Sequence, residues 1–283
     1  MKERFAVRKM GVGHPAIERD EMRIHKVTRV IFVIFALFAM ATLCVFACAC
    51  SRAYTCPYDW DGLQSNGDRL EYYEKGVLQS RTGIDVSEYQ GLINWRSVAL
   101  DGIEFAYVRI GNRGTTEGTL YADAYYDYNV SGARAAGLMT GVYFFSQAVN
   151  EEEAIEEADF VLSLLGGRYL ELPVVYDWEV TSGDTMRSCS ASEEDAARAA
   201  QAFCDRIEAG GYSAMVYGST FDFGRMGTDI KDVPLWLAEY GVSHPDAEFD
   251  YSMWQYTASG TVAGINTDVD MNIWFLTARV PIE

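Results

Sequence analysis

Residues 173–180 read PVVYDWEV, an apolar run with two acids set into it. A short run of this kind, rich in Val and aromatic residues, predicts a buried β-strand. Side chains alternate along a strand, so Val175, Asp177 and Glu179 share one face, and Val174, Tyr176, Trp178 and Val180 share the other. The two acids then project from one face about 6–7 Å apart at the backbone. Strand interiors disfavour Asp, so the pair needs a reason. Two are open: a solvated strand end whose acids are met by arginines, or a pair of carboxyls kept for chemistry.

Outward from this strand, residues 81–283 alternate short apolar runs with amphipathic ones. Strands are predicted over 83–86, 105–110, 140–145, 173–180, 214–217, 235–238 and 252–256. Helices are predicted over 95–100, 121–136, 151–165 and 192–209, with a short one near Phe221. The 151–165 helix is the clearest. Asn150 can cap it, three acids follow at the positive end of its dipole, and Ile155, Ala158, Leu162 and Leu165 form one apolar face. Gly166 and Gly167 end it. This alternation predicts an α/β fold with parallel strands. The strand number, and the lack of a dinucleotide glycine fingerprint, favour a TIM-like (β/α) barrel over a doubly wound sheet. A polar loop with His244-Pro245, not a helical repeat, separates 235–238 from 252–256, so the last strands are expected to lack helices.

The chain has 283 residues and a net charge of −18, unevenly spread. Residues 1–29 hold 8 Lys/Arg against 4 Asp/Glu, and residues 30–50 hold no charge. The remainder carries 15 Lys/Arg against 37 Asp/Glu, a net of −22. So acidic a domain is a poor ligand for polyanions, which excludes nucleic acid as a partner. The uncharged run VIFVIFALFAMATLCVFACAC (30–50) is 21 residues long. As a helix it spans about 30 Å, the thickness of a bilayer core. Arg19, Arg23, Lys26 and Arg29 precede it and only Arg52 follows closely, so the positive-inside rule predicts a single-pass anchor with a cytoplasmic N-terminus. Residues 1–29 are then expected as a basic cytoplasmic segment, 51–80 as an extracytoplasmic spacer packed in part on the domain, and 81–283 as the barrel. The alternatives are a cleaved signal peptide with small Ala47 and Ala49 near its end, which gives a secreted protein, or a lipid-modified Cys48 or Cys50.

Two further acidic clusters stand out, Gly83-Ile-Asp85-Val-Ser-Glu-Tyr89 and Asp268-Val-Asp270-Met-Asn272. Read alone, Asp85 suits a turn or cap and Asp270 a loop. The spacing is too sparse for an EF-hand, and neither a metal nor a cofactor is expected. The histidines are His14, His25 and His244, so a zinc site or a Ser-His-Asp triad would rest on His244 alone. Carboxylates, tyrosines and tryptophans remain, the residue types of glycoside hydrolysis. Aromatic faces stack on sugars, and a dry aromatic pocket raises a carboxyl pKa far enough to make a general acid.

Six segments together resemble the glycoside hydrolase family 25 muramidases, the Chalaropsis-type lysozymes. They are GIDVSEYQGLINW (83–95), FAYVRIG (105–111), GVYFFS (141–146), PVVYDWE (173–179), PLWLAEY (234–240) and WQYTASGTVAGINTDVDMN (254–272). The resemblance implies a modified barrel and hydrolysis of the β-1,4 bond between N-acetylmuramic acid and N-acetylglucosamine in peptidoglycan glycan strands. It implies Glu179 as general acid, Asp177 as the group that orients the substrate's acetamide, and Asp85 and Asp270 as the acidic surround. A direct nucleophile and an inverting water stay open. Tyr143 is placed near the reaction centre. Tyr89, Trp254 and Tyr256 are expected as sugar contacts, Trp254 equally as ordinary barrel core, and Arg109 as the partner of an acid at its strand end. A monomer is expected. The alternatives are a glycan-binding module without catalysis and a lysis enzyme of a phage or mobile element.

Overall fold

The computed structural model describes residues 54–180, 186–228, 230 and 233–282. The basic segment 1–29 and the predicted anchor 30–50 lie outside the described residues. Among the described residues no helix is long and apolar enough to cross a membrane.

A small antiparallel sheet comes first: β1 (Leu63–Asn66), β2 (Arg69–Glu74) and β3 (Val77–Leu78). The larger sheet holds β4 (Ser80–Val86), β5 (Phe105–Arg113), β6 (Leu120–Ala122), β7 (Met139–Ser146), β8 (Val174–Trp178), β9 (Ala214–Ser219), β10 (Leu235–Ala238), β11 (Met253–Gly260) and β12 (Val269–Phe275). Its order is β4-β12-β11-β10-β9-β8-β7-β5-β6, and a further β4–β5 pairing closes eight of the strands into a barrel. Strands β4, β5 and β7 to β11 run parallel where they pair, whereas β12 is antiparallel to both its neighbours, β11 and β4. Helices Trp95–Leu100, Tyr126–Ala135, Glu151–Leu165, Glu193–Ala209 and Thr220–Met226 fill the earlier connections, and none lies between β10 and β12. The barrel and its helix-free end follow the sequence expectation.

Local chemistry explains the element ends. Asn150 Oδ1 accepts from Glu153 N at 2.9 Å, and Gly166 closes the helix in the left-handed region at φ 56°. Two cores result. The outer one lies between strands and helices and takes Val174, Tyr176 and Trp178 from β8. The inner one fills the barrel with Phe105, Tyr107, Val175, Met215, Trp236 and Met253. Inside, a Cβ on Gly83 would lie 2.2 Å from the Phe105 ring and one on Gly141 2.3 Å from Tyr107, so two glycines make room for two rings.

Two expectations need correction. The 268–272 stretch is not a loop: Asp270 and Asn272 sit on the closing strand β12, which departs from an all-parallel sheet. The helix expected from 121 starts at Tyr126, because Leu120–Ala122 pairs with β5 and Asp123 Oδ1 then accepts from Tyr125 N in a turn. The stretch 51–80, read as a spacer packed in part on the domain, lies against the barrel from Thr55 onward. Its aromatic residues do this: buried Tyr58 stacks on Phe275 at 4.2 Å, and Tyr72 meets the same ring edge-on at 5.4 Å.

Candidate active site

Alternation along eight strands sends one residue in two into the barrel, and near the C-terminal ends these inward residues turn polar. They line an open cleft of about 310 Å³ with Asp85, Tyr89, Arg109, Tyr143, Asp177, Glu179, Tyr217, Trp236, Tyr240, Gln255 and Asp270 among its walls. The C-terminal mouth is where parallel barrels collect functional groups. All four acids singled out in the sequence meet here.

Asp177 and Glu179 come from the same face of β8 and its extension. Asp177 is only 5% exposed, and no hydrogen-bond donor reaches its Oδ1. Burial raises its pKa well above the usual carboxylate range, and the charge of Glu179 and a carboxyl–carboxyl hydrogen bond raise it further. Half-buried Glu179 is also raised, first by burial; its bond to Asp177 pulls the other way, while Asp222 and Asp270 add like-charge repulsion. Two neighbouring carboxyls that are both raised by burial are suited to share one proton.

Asp85 and Asp270 make a second pair. They face each other directly across the β4–β12 ladder, where like charges repel. Burial raises both, Asp85 strongly, and the two are hydrogen-bonded to each other. Asp85 Oδ2 accepts from Gln255 Nε2 and from Asn272 Nδ2, each at 2.8 Å. Both amides are fixed from behind. The Gln255 oxygen accepts from Tyr217 at 2.8 Å and from Tyr240, and the Asn272 oxygen accepts from Trp236 Nε1 at 2.9 Å. With their oxygens occupied, the amides have only N–H groups to offer Asp85.

Arg109 is the cation of the cleft, and its charge is already taken. Its Nε donates to Asp123 Oδ2 at 2.8 Å and its Nη2 to Glu88 Oε1 at 2.9 Å, while Tyr89 lies 5.0 Å from the guanidinium. Tyr143, paired with Arg109 across β5 and β7, has its pKa raised by burial and by Asp85. Tyr89 is 75% exposed at the rim, open to a ligand.

Two expected sugar contacts are elsewhere. Trp254 is 1% exposed, its indole N–H donates to Glu239 O at 2.8 Å, and its ring belongs to the outer core. Tyr256 packs on that core too, close to Arg69 and Leu70 of the small sheet. Alternation on β11 is the reason: Met253 and Gln255 point inward, so Trp254 and Tyr256 point outward. His244 stacks on Trp60 at 5.1 Å and does not line the cleft. Sequence reasoning missed Gln255, Asn272, Trp236 and Tyr217 as site residues. Parity alone finds Gln255 once β11 is recognised.

The profile of glycosyl hydrolases family 25 matches residues 84–265. The chain is 32% identical over 191 residues to an autolytic lysozyme of Clostridium acetobutylicum, covering 67% of this chain and 54% of that protein. It is 33% identical over 202 residues to lysozyme M1 of Streptomyces globisporus, covering 67% of this chain and 66% of that one. It therefore spans between about half and two thirds of these relatives. Among solved structures, the bacterial lysozyme from Streptomyces coelicolor superposes with a TM-score of 0.56 at 30% identity, covering 68% of this chain and 90% of that one. Cleft, barrel and sequence agree, and the chain belongs to glycosyl hydrolases family 25.

Proposed function

We propose that this protein is a muramidase that hydrolyses the β-1,4 bond between N-acetylmuramic acid and N-acetylglucosamine, with Glu179 as general acid and Asp177 assisting. The observation that carries this is the hydrogen-bonded Asp177–Glu179 dyad at the barrel mouth, with both pKa values raised. Glu179 is the more exposed of the two and the one a glycosidic oxygen can reach.

The dyad also favours one route. In the two-carboxylate scheme acid and nucleophile stand on opposite faces of the sugar, at least about 5 Å apart. Two carboxyls close enough to interact through a hydrogen bond do not stand on opposite faces of a sugar ring, so the substrate's own acetamide is the better nucleophile. Before substrate enters, the deeper Asp177 competes for the shared proton. An acetamide N–H donated to Asp177 favours its charged form and leaves the proton on Glu179. Glu179 then protonates the leaving glycosidic oxygen as the acetamide oxygen bonds to the anomeric carbon. Water later opens that ring, losing a proton to the Glu179 carboxylate. Asp85 and Asp270 surround the cationic centre, with Tyr143 and Tyr89 beside it.

The exported part carries a net charge of −22. Anionic wall polymers repel it, so long-range attraction is not how it finds substrate. A membrane anchor at 30–50 solves this by holding the enzyme next to the wall at high local concentration. The full-length chain is then expected in the membrane fraction; recovery only from the medium, cut after residue 50, contradicts the anchor.

The test of the activity is a digest of purified peptidoglycan, with products reduced and new ends identified by mass spectrometry. Reducing-end muramic acid is expected. Reducing-end glucosamine would reassign the bond, and an uncut wall that still pellets the protein would make it a binding module.

A further inference from the structure

One buried acid next to the cleft has no part in the mechanism so far. Asp222 lies on the Thr220–Met226 helix, is 4% exposed and closes a capping box with Ser219. Capping occupies one of its oxygens: Oδ2 accepts from Ser219 N at 2.9 Å and from Ser219 Oγ at 2.5 Å. The other is turned to β8, where Oδ1 accepts from Val180 N at 2.8 Å, across 42 residues of sequence. The peptide joining Glu179 to Val180 is gripped at its other end too. Its carbonyl, Glu179 O, accepts from Ser188 Oγ at 2.8 Å, and Ser188 is itself bonded to Gln147 Oε1 at 3.3 Å. Both polar groups of that one peptide are thus held by buried side chains. The donors to Asp222 are neutral, so its charge still acts on Glu179 and Asp177.

We propose that Asp222 is a positioning residue for the general acid: it fixes the peptide after Glu179 and keeps a negative charge beside the Glu179 carboxyl. The assignment of Glu179 as the acid rests on the muramidase reading above; the grip and the charge do not. The groups facing Glu179 are Asp177 on its own strand, Asp222 on the helix, Asp270 on β12, Tyr217 on β9 and Tyr240 after β10. Asp222 acts from outside the barrel wall, through the backbone, whereas the others reach Glu179 from the cleft. A capping acid has no need of such a partner, and helix capping alone predicts no effect on a carboxyl in the cleft.

The test uses the full chain and two variants. Asp222→Asn keeps an oxygen for Val180 N–H and removes the charge; Asp222→Ala removes both. Two readouts are taken: the titration of the Glu179 carboxyl by carbon-13 NMR, its signal assigned by its loss in Glu179→Gln, and kcat against pH on peptidoglycan. In Asp222→Asn the Glu179 midpoint and the alkaline limb of kcat should move together to lower pH, by about half a unit or more. In Asp222→Ala kcat should also fall about 10- to 100-fold with little change in KM, because the acid is misplaced. An Asp222→Asn protein whose Glu179 midpoint stays at the wild-type value overturns the proposal, as does an Asp222→Ala protein with wild-type kcat. If Asp222→Ala does not fold, Asp222→Asn decides. A midpoint that shifts as expected in a protein that leaves peptidoglycan uncut supports the proposal and defeats the muramidase reading instead.

Discussion

The molecule buries acids in two ways, one outside the barrel wall and one at its mouth. On the outside of the barrel, Glu157 from the Glu151–Leu165 helix is fully buried but saturated with donors: Arg113 Nε at 2.7 Å, Ser146 Oγ at 2.6 Å and Gln147 N at 3.3 Å. Arg113 also binds Gly118 O, Glu153 O and Glu156, so the cluster ties the helix to β5 and to the end of β7. In the cleft, acids meet acids: Asp177 pairs with Glu179 and Asp85 with Asp270; Asp85 also accepts from two neutral amides, but Asp177 Oδ1 has no donor. Polar burial that serves the fold is satisfied, because an unpaired buried group costs stability. Burial left unsatisfied in a concave site marks groups kept for chemistry.

That contrast can be broken from either side. The largest effect is on rate. Glu179→Gln should lower turnover of peptidoglycan by about 10²-fold or more with the fold intact, measured as new reducing ends per folded molecule. The next falls on the other cluster. Arg113→Met leaves Glu157 buried without its cation and should cost about 3–5 kcal/mol in denaturant unfolding, while turnover per folded molecule stays within about threefold. An Arg113→Met protein of normal stability would show that the outer pair is not structural.

The pH dependence sharpens the comparison. Burial raises Glu157 from 4.5 to about 7 in spite of Arg113. An acid with a raised folded pKa contributes stability that is full below its unfolded pKa and is lost as pH climbs through the folded one. Unfolding free energy should therefore fall between about pH 4.5 and pH 7 and level off above, and Glu157→Gln should remove about 3 kcal/mol of that decline. An unchanged slope would mean that Glu157 titrates normally. The smallest effect is expected at Tyr256, outside the cleft: Tyr256→Phe should leave turnover within about twofold, whereas a large loss would return that ring to the substrate.

The fold was legible wherever one face of an element was apolar. The 151–165 helix and the strand over 235–238 match the structure residue for residue, since caps, glycines and periodicity agree there. β12 was hidden because Asp270 and Asn272 fill its inner face where a core residue would normally sit; a strand that lines a polar site loses its apolar signal on one side in two. The small sheet was hidden by length, its strands having four, six and two residues. The four acids of the site were legible as residue types. Their pairing as Asp177–Glu179 and Asp85–Asp270 was half legible, since one pair shares a strand and the other needs the β4–β12 register. Gln255 and Asn272 carry no signal of their own until the strands are aligned, and strand parity decides between the two readings of Trp254 in favour of core.

The contrast implies that the cleft carboxyls are kept at the expense of stability for the sake of catalysis. The most direct test is the Asp177→Asn protein, nearly identical in shape, with melting temperature and turnover measured on the same sample at pH 8. Removing a buried acid whose charged form is disfavoured should leave the protein melting at or above the wild-type temperature while turnover falls at least about tenfold. A protein that melts lower and cleaves peptidoglycan at the wild-type rate would make Asp177 a structural residue and contradict the account.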